Sequence, residues 1–174
     1  MATSVLSNEF MQNMTTEEAW KELSSDFKWS DPLLEKYQDK VDWNEISGNR
    51  YICWTIPMIQ KFKNRINWEI FSMYIDEEVV TEDIIETFKD KWNWHKLSEN
   101  SNVVLSYDLL DKFVDLWDWE EIISRYSNQP FDGNGIEFYE RYKKYIPAAK
   151  LHNSQLWYEI VRQQKRQLIA EITA

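Results

Sequence analysis

Carboxylates are the side chains with which this chain could do chemistry. Residues 69–121 hold fifteen of them, Glu69, Asp76, Glu77, Glu78, Glu82, Asp83, Glu86, Asp90, Glu99, Asp108, Asp111, Asp115, Asp118, Glu120 and Glu121. Only Lys89, Lys91, Lys96 and Lys112 oppose them. Two carboxylates can divide general-acid and general-base work, but only in a cleft that drives their pKa values apart. Here the acids recur at positions that read as the solvated face of repeated helices. The one tight group, Asp76-Glu77-Glu78, lacks the ligand order of a calcium loop. His95 and His152 stand in unlike settings, and with the single Cys53 they make no metal-ligand spacing. Gly48, Gly133 and Gly135 form no phosphate-cradling pattern, and no G-x-S-x-G elbow occurs. No enzymatic activity, cofactor or metal is expected.

The chemistry that remains is electrostatic. Net charge is −10 over 174 residues, and it is uneven. Residues 1–131 carry 25 acids against 13 Lys and Arg, whereas residues 132–174 carry 5 against 7. An acidic surface attracts a basic partner and repels nucleic acid. The expected partner is therefore a protein with a basic surface, such as a nucleic-acid-binding effector. Glu77, Glu78, Glu82, Asp83, Glu86, Asp108, Asp111 and Asp115 are the candidate contacts. The basic end supplies a weaker alternative, RNA contact through Arg141, Lys143, Lys144, Arg162, Lys165 and Arg166. Too few charges are gathered there for strong phosphate binding.

These residues are positioned by a repeat. Trp20, Trp43, Trp68, Trp94 and Trp119 recur at a nearly constant step, the signature of a repeat architecture. Each opens a W-x-x-[LIF] segment, four of them followed by Ser (Ser24, Ser47, Ser72, Ser98). A hydroxyl residue and an apolar series at i, i+1, i+4 and i+8 come next, as in Thr55 then Met58, Ile59, Phe62 and Ile66. That spacing is one face of an α-helix. The pattern predicts an all-α fold, a short α-solenoid of about five helix-turn-helix repeats of ~25 residues with a C-terminal capping helix. The array spans 19–147, after a polar segment over 1–18 expected to be partly disordered and before a basic capping helix over 148–174. Unit five carries an insertion around Asn128 to Gly135, and Ala148 stands where a sixth Trp would be.

Local chemistry marks the helix ends. Ser30, Thr55, Thr81 and Ser106 precede the longer helices and can accept from the open N–H groups of a first turn. Asp42, Asn67, Asn93 and Asp118 precede the Trp residues and are expected to cap the W-x-x-L segments as short helices. Ile52 to Ile56 and Val79-Val80 read as buried loop segments. Aromatic side chains bury large areas, so the repeated Trp43, Trp68, Trp94 and Trp119 are expected to be buried and equivalent. Cys53, between Ile52 and Trp54, is expected to be a buried, inert thiol. In the C-terminal helix, Trp157, Tyr158, Ile160, Val161 and Leu168 are expected to cover the last repeat. The segment 1–18 lacks the apolar stretch of a secretory signal, no run suits a membrane span, and one cysteine fits a reducing compartment, the cytoplasm.

The pattern D-W-x-x-L-S followed by W-[ST]-x-x-[LI]-[LI]-x-K-[FY]-x-D-K-W-[DN]-W resembles short tryptophan-containing repeats of bacterial, mainly Bacteroidetes, and some viral proteins. Lys91-Trp92-Asn93-Trp94 with Lys96-Leu97-Ser98 carries the likeness most clearly, and Trp54-Thr55 with Lys61-Phe62 repeats it. It covers roughly residues 19–127. The resemblance implies a binding scaffold and carries no catalytic residues. Two readings follow: a protein-interaction module, or a small phage-type, anti-CRISPR-like inhibitor that blocks a nucleic-acid-handling enzyme by acidic mimicry or occlusion.

Overall fold

The structure, a computed structural model, describes residues 9–173. Among them every regular element is an α-helix: α1 Glu9–Asp26, α2 Asp31–Tyr37, α3 Trp43–Gly48, α4 Ile56–Phe62, α5 Trp68–Tyr74, α6 Glu82–Thr87, α7 Trp94–Glu99, α8 Tyr107–Lys112, α9 Trp119–Ser124, α10 Gly135–Tyr142, α11 Ala148–Leu151 and α12 Gln155–Thr173. The chain forms two compact units, the first ending at Ile84 and the second beginning at Ile85. In the first, α1 packs on α3 and α3 on α5; in the second, α7 packs on α9, and α9 on α11 and α12. Each unit is thus a stack of the helix-turn-helix repeats expected of an α-solenoid.

Helices of six or seven residues are too short to be stable alone, so their ends must be fixed chemically. Asp42 accepts from the N–H groups of Asn44 and Glu45, Asn67 from Glu69 and Ile70, Asn93 from Lys96, and Asp118 from Glu120 and Glu121. Thr55 and Ser106 cap α4 and α8, and the Ile84 N–H donates to Thr81 Oγ1. Ser30 departs from the expectation: its side chain makes no capping bond, and Pro32 removes one of the N–H groups in need of one.

The serine after three of the W-x-x-[LIF] segments joins one repeat to the next. Ser24, Ser47, Ser72 and Ser98 are all buried. Ser24, Ser47 and Ser72 donate to the carbonyl of the Trp four residues earlier, at 2.5–2.6 Å. Ser24, Ser47 and Ser98 accept the backbone N–H of the following repeat's cap residue, Asp42, Asn67 and Asp118 respectively, each at 2.9 Å. A buried hydroxyl satisfied as both donor and acceptor costs little, and unsatisfied it costs ~1–3 kcal/mol. The series ends consistently. In repeat five the serine position is Ile123, fully buried, and the next cap residue is Pro147, which has no N–H to donate.

The tryptophans divide differently from the expectation. Trp43, Trp68 and Trp94 are only half-buried; Trp119 alone of these four is buried, at 6 % exposure. Each indole N–H donates to the carbonyl five residues earlier, Trp43 to Gln38, Trp68 to Lys63, Trp94 to Lys89 and Trp119 to Val114, at 2.8–3.0 Å. Those carbonyls follow the preceding helix and lack intrahelical partners. The polar edge of the indole is drawn there, toward the surface. The other buried indoles are Trp29, Trp54, Trp92 and Trp117. Repeats one and two place theirs before the second helix, with the aliphatics Val41 and Ile66 after it. Repeats three and four invert the order, with Val80 and Leu105 before and Trp92 and Trp117 after. Each of these repeats thus pairs one buried indole with one aliphatic chain, conserving volume.

Of the polar segment, residues 9–18 are helical as the first part of α1, and residues 1–8 lie outside the described residues. Three other expectations are corrected. Cys53 is exposed. Ile52 and Trp54 are buried on either side of it, and the Trp54 N–H donates to the Ile52 carbonyl at 3.0 Å, a three-residue turn with Cys53 at its tip. Ile56 opens α4 on its exposed side rather than lying in a buried loop. Finally, α12 covers the last repeat with a mixed face: Leu156 and Glu159 are buried and Trp157 and Ile160 half-buried, whereas Tyr158, Val161 and Leu168 are exposed. Gly135 lets the helices approach closely at Glu159: a Cβ there would lie 3.0 Å from Glu159 Cγ and from the Ile160 nitrogen. Gln163 Oε1 also accepts the Ile136 N–H, replacing a local cap for α10.

Candidate functional site

Glu77 and Glu78 sit at the tip of the turn between α5 and α6. Ile75 and Val79 are buried on either side of them, and the Val79 and Val80 N–H groups both donate to the Asp76 carbonyl. A tight turn with two apolar anchors holds the pair outward. Both side chains are exposed, and neither has an ion-pair partner among the described residues. Glu82 and Asp83 follow as exposed residues in the first turn of α6, where acids also favour the positive helix end. These four acids lie in one short stretch of chain.

The other candidate acids fare differently. Glu86 lies 3.5 Å from Lys89 and 3.4 Å from Lys112, linking α6 to α8. Asp111 accepts from the Arg141 guanidinium and from the Tyr142 hydroxyl, the latter at 2.8 Å. Arg141 holds the Asp111 carboxyl below the usual carboxylate range, and burial with the Asp111 bond pushes the Tyr142 phenol up. Both acids serve the contact between neighbouring repeats before they serve any partner. Asp108 and Asp115 lie on α8 and in the turn after it.

The basic candidates are largely neutralised within the chain. Arg141 pairs with Asp111, Lys143 with Glu140 at 2.6 Å, and Arg162 with Asp132 at 2.9 Å and with Glu159. Arg166 reaches Glu159 at 3.3 Å. Glu159 is only 4 % exposed and is held between these two arginines. Lys144 lies over the Tyr145 ring at 4.5 Å. Only Lys165 has no charged or aromatic partner among the described residues. Exposed pairs add little stability, a median of ~0–1 kcal/mol each, but they remove the excess charge that phosphate binding draws on.

His95 places an imidazole at the contact between α7 and α9. Its Nδ1 lies 2.8 Å from Asp118 and 3.9 Å from Glu121 across the α7–α9 contact. The Asp118 bond raises the imidazole above its ordinary value of 6.5, and the Glu121 charge adds to it. A raised folded-state value means that the contact stabilises fully below about pH 6.5 and fades as pH rises through the raised value. The ring is half exposed, so the effect on stability is a few tenths of a kcal/mol at most, roughly that of a surface pair. Proton NMR of the His95 ring is expected to titrate above the unperturbed range. The Asp118→Asn variant should bring it down while keeping the α9 cap, since Asn67 and Asn93 cap equivalent helices. An unchanged titration in Asp118→Asn would contradict this assignment.

Among the described residues, no group of three or more His, Cys, Asp and Glu side chains is arranged to hold a metal ion, and no helix is long and apolar enough to cross a membrane. The buried Tyr107 hydroxyl has no hydrogen-bond partner among the described residues, and burial pushes its phenol up. No known protein family, curated protein or solved structure matches this chain.

Proposed function

We propose that this chain is a non-enzymatic protein-interaction module that receives a basic protein surface on its acidic repeat face, centred on the α5–α6 turn. The observation that carries the reading is the pair Glu77 and Glu78, exposed on an anchored turn and not neutralised within the chain. Glu86 and Asp111 take part less, because lysines or arginine already hold them. The same logic disfavours RNA at the basic end, where internal pairs absorb most of the charge. A reducing compartment such as the cytoplasm suits the exposed thiol of Cys53, the single cysteine.

Complementary charge acts mainly on encounter, so its signature is kinetic. The triple variant Glu77→Lys, Glu78→Lys, Glu82→Lys is expected to associate with the partner captured by the wild type roughly tenfold or more slowly at low salt, within the range of electrostatic steering. The two proteins should converge at ~1 M salt, where the Debye length falls to ~3 Å. Equal association rates, flat with salt, would exclude the acidic turn.

A further inference from the structure

The chain has six arginines, and five are satisfied internally: Arg65 by Asp39, Arg125 by backbone carbonyls, Arg141 by Asp111, and Arg162 and Arg166 by Glu159. Arg50 is the exception. In a chain with a net charge of −10 its guanidinium has neither a hydrogen bond nor an ion pair among the described residues. It lies over the Tyr74 ring, 5.8 Å from the ring centroid. A cation over an aromatic face is attracted to it, and the N–H groups stay available to meet a carboxylate in a fork.

Arg50 and Tyr74 border a groove of about 580 Å³ on the surface of the α1–α3–α5 stack, wholly inside the first unit. Its floor is opened by Gly48, where a Cβ would already lie 3.3 Å from Ile70 Cγ2. Ile70 and Met73 supply apolar surface, and Tyr74 is 41 % exposed. Glu45 and Glu69 lie along the same groove. Glu45 is 3.9 Å from Lys21, a loose pair that leaves acceptor capacity. The groove therefore offers a planar cation, an apolar strip and carboxylate acceptors side by side. A free anion would gain the first and be repelled by the last. A peptide segment can use all three, with an acidic side chain on Arg50, an adjacent apolar or aromatic side chain on Ile70, Met73 and Tyr74, and main-chain N–H donors toward the glutamates.

We infer that this groove is a second binding site, separate from the acidic turn, and that it takes a peptide segment in which an acidic residue adjoins an apolar one. It asks for the opposite charge from the acidic turn, so either site can fail without the other.

The probe is the capped dipeptide acetyl-Asp-Phe-amide, titrated into the full chain carrying ¹³C-labelled Ile and Met methyls. Saturable shifts of the Ile70 and Met73 methyls are expected. Arg50→Gln should weaken binding roughly tenfold or more, the scale of a lost charged hydrogen bond. Acetyl-Asn-Phe-amide, equal in shape but uncharged, should weaken it similarly. Gly48→Met, which fills the floor with the residue type that Met73 supplies five positions after Trp68, should abolish the shifts. The melting temperature of each variant establishes that it is folded. Binding unaffected by Arg50→Gln or by the Asp-to-Asn change in the probe would overturn the proposal, as would the absence of methyl shifts at millimolar probe. Equally tight binding of 3-phenylpropionate, a free carboxylate, would overturn the peptide assignment.

Discussion

Replacing Trp54 or Trp117 with alanine is expected to lower stability by about 3–5 kcal/mol, the usual range for a buried indole. Replacing Trp43 or Trp68 should cost about 1–2 kcal/mol, from partial burial and one hydrogen bond. The order reverses what the regular Trp spacing suggests. Trp54 is 6 % exposed with its ring edge-on to Phe71 at 5.2 Å, and Trp117 is 4 % exposed and edge-on to Trp94 at 5.0 Å. Trp43 and Trp68 keep a polar edge on a helix-end carbonyl and are only half-buried. Because whole domains are stable by only ~5–15 kcal/mol, the first pair of variants stands close to unfolding. Urea titrations of the four variants at matched slope decide the matter. Equal losses, or larger ones at Trp43 and Trp68, would show that the core is misassigned.

Arg125 is the second position where a large effect is expected. It stands six residues after Trp119, as Asn49 and Asn100 stand six after Trp43 and Trp94. Asn49 donates to the carbonyls of Ser24 and Phe27 at 2.8 and 2.9 Å, closing the end of α1. Arg125 does the same for α7 with a wider fork. Nε donates to the Ser98 carbonyl and Nη1 to the Val103 carbonyl, both at 2.8 Å, and Nη2 donates to Asn100. The side chain is 4 % exposed and has no carboxylate partner among the described residues; the carbonyl end of a helix, which favours cations, takes that place. Burial pulls the guanidinium down to about 10, so it remains charged at neutral pH. Arg125→Ala orphans the buried Ser98 and Val103 carbonyls, while the Asn100 carbonyl keeps the Val103 N–H; at ~1–3 kcal/mol each before water rescues some, a net loss of roughly 2–4 kcal/mol is expected. Arg125→Asn should recover part of it, because the asparagine in the first unit satisfies two such carbonyls. A loss under ~1 kcal/mol for the alanine variant would mean that water enters freely and the fork is dispensable.

The all-helical repeat can be read from the sequence because its signals are local: a cap residue, a helical apolar period and a Trp once per repeat. Asp42, Asn67, Asn93 and Asp118 cap as their types dictate. What cannot be read depends on partners distant in sequence. Ser24 and Asp42 are 18 residues apart and Arg125 and Ser98 are 27 apart, so no window on one helix shows either bond. The Trp expectation fails for a related reason. Regular spacing marks equivalent positions, not buried ones, and the indole N–H draws the repeated Trp toward helix ends. Cys53 is misplaced when its neighbours are counted as apolar without the tight turn that puts Cys53 at its tip. Of the candidate site, the acidic stretch is legible as composition. The neutralisation of Glu86 by Lys112, and of Asp111 by Arg141, is not, since each cation comes from the following repeat. Arg50 stays hidden in the sequence because an unpaired arginine can be recognised only once the others are seen to be paired.

Hydrogen exchange of the chain, free and in complex with the partner it captures, tests the interaction reading most directly. The account predicts slowed exchange across residues 75–84, the anchored turn and the start of α6, with that protection fading as salt weakens the complex. Unchanged exchange over 75–84, with protection confined to 155–173 or to the indole-bearing helix starts, would contradict it.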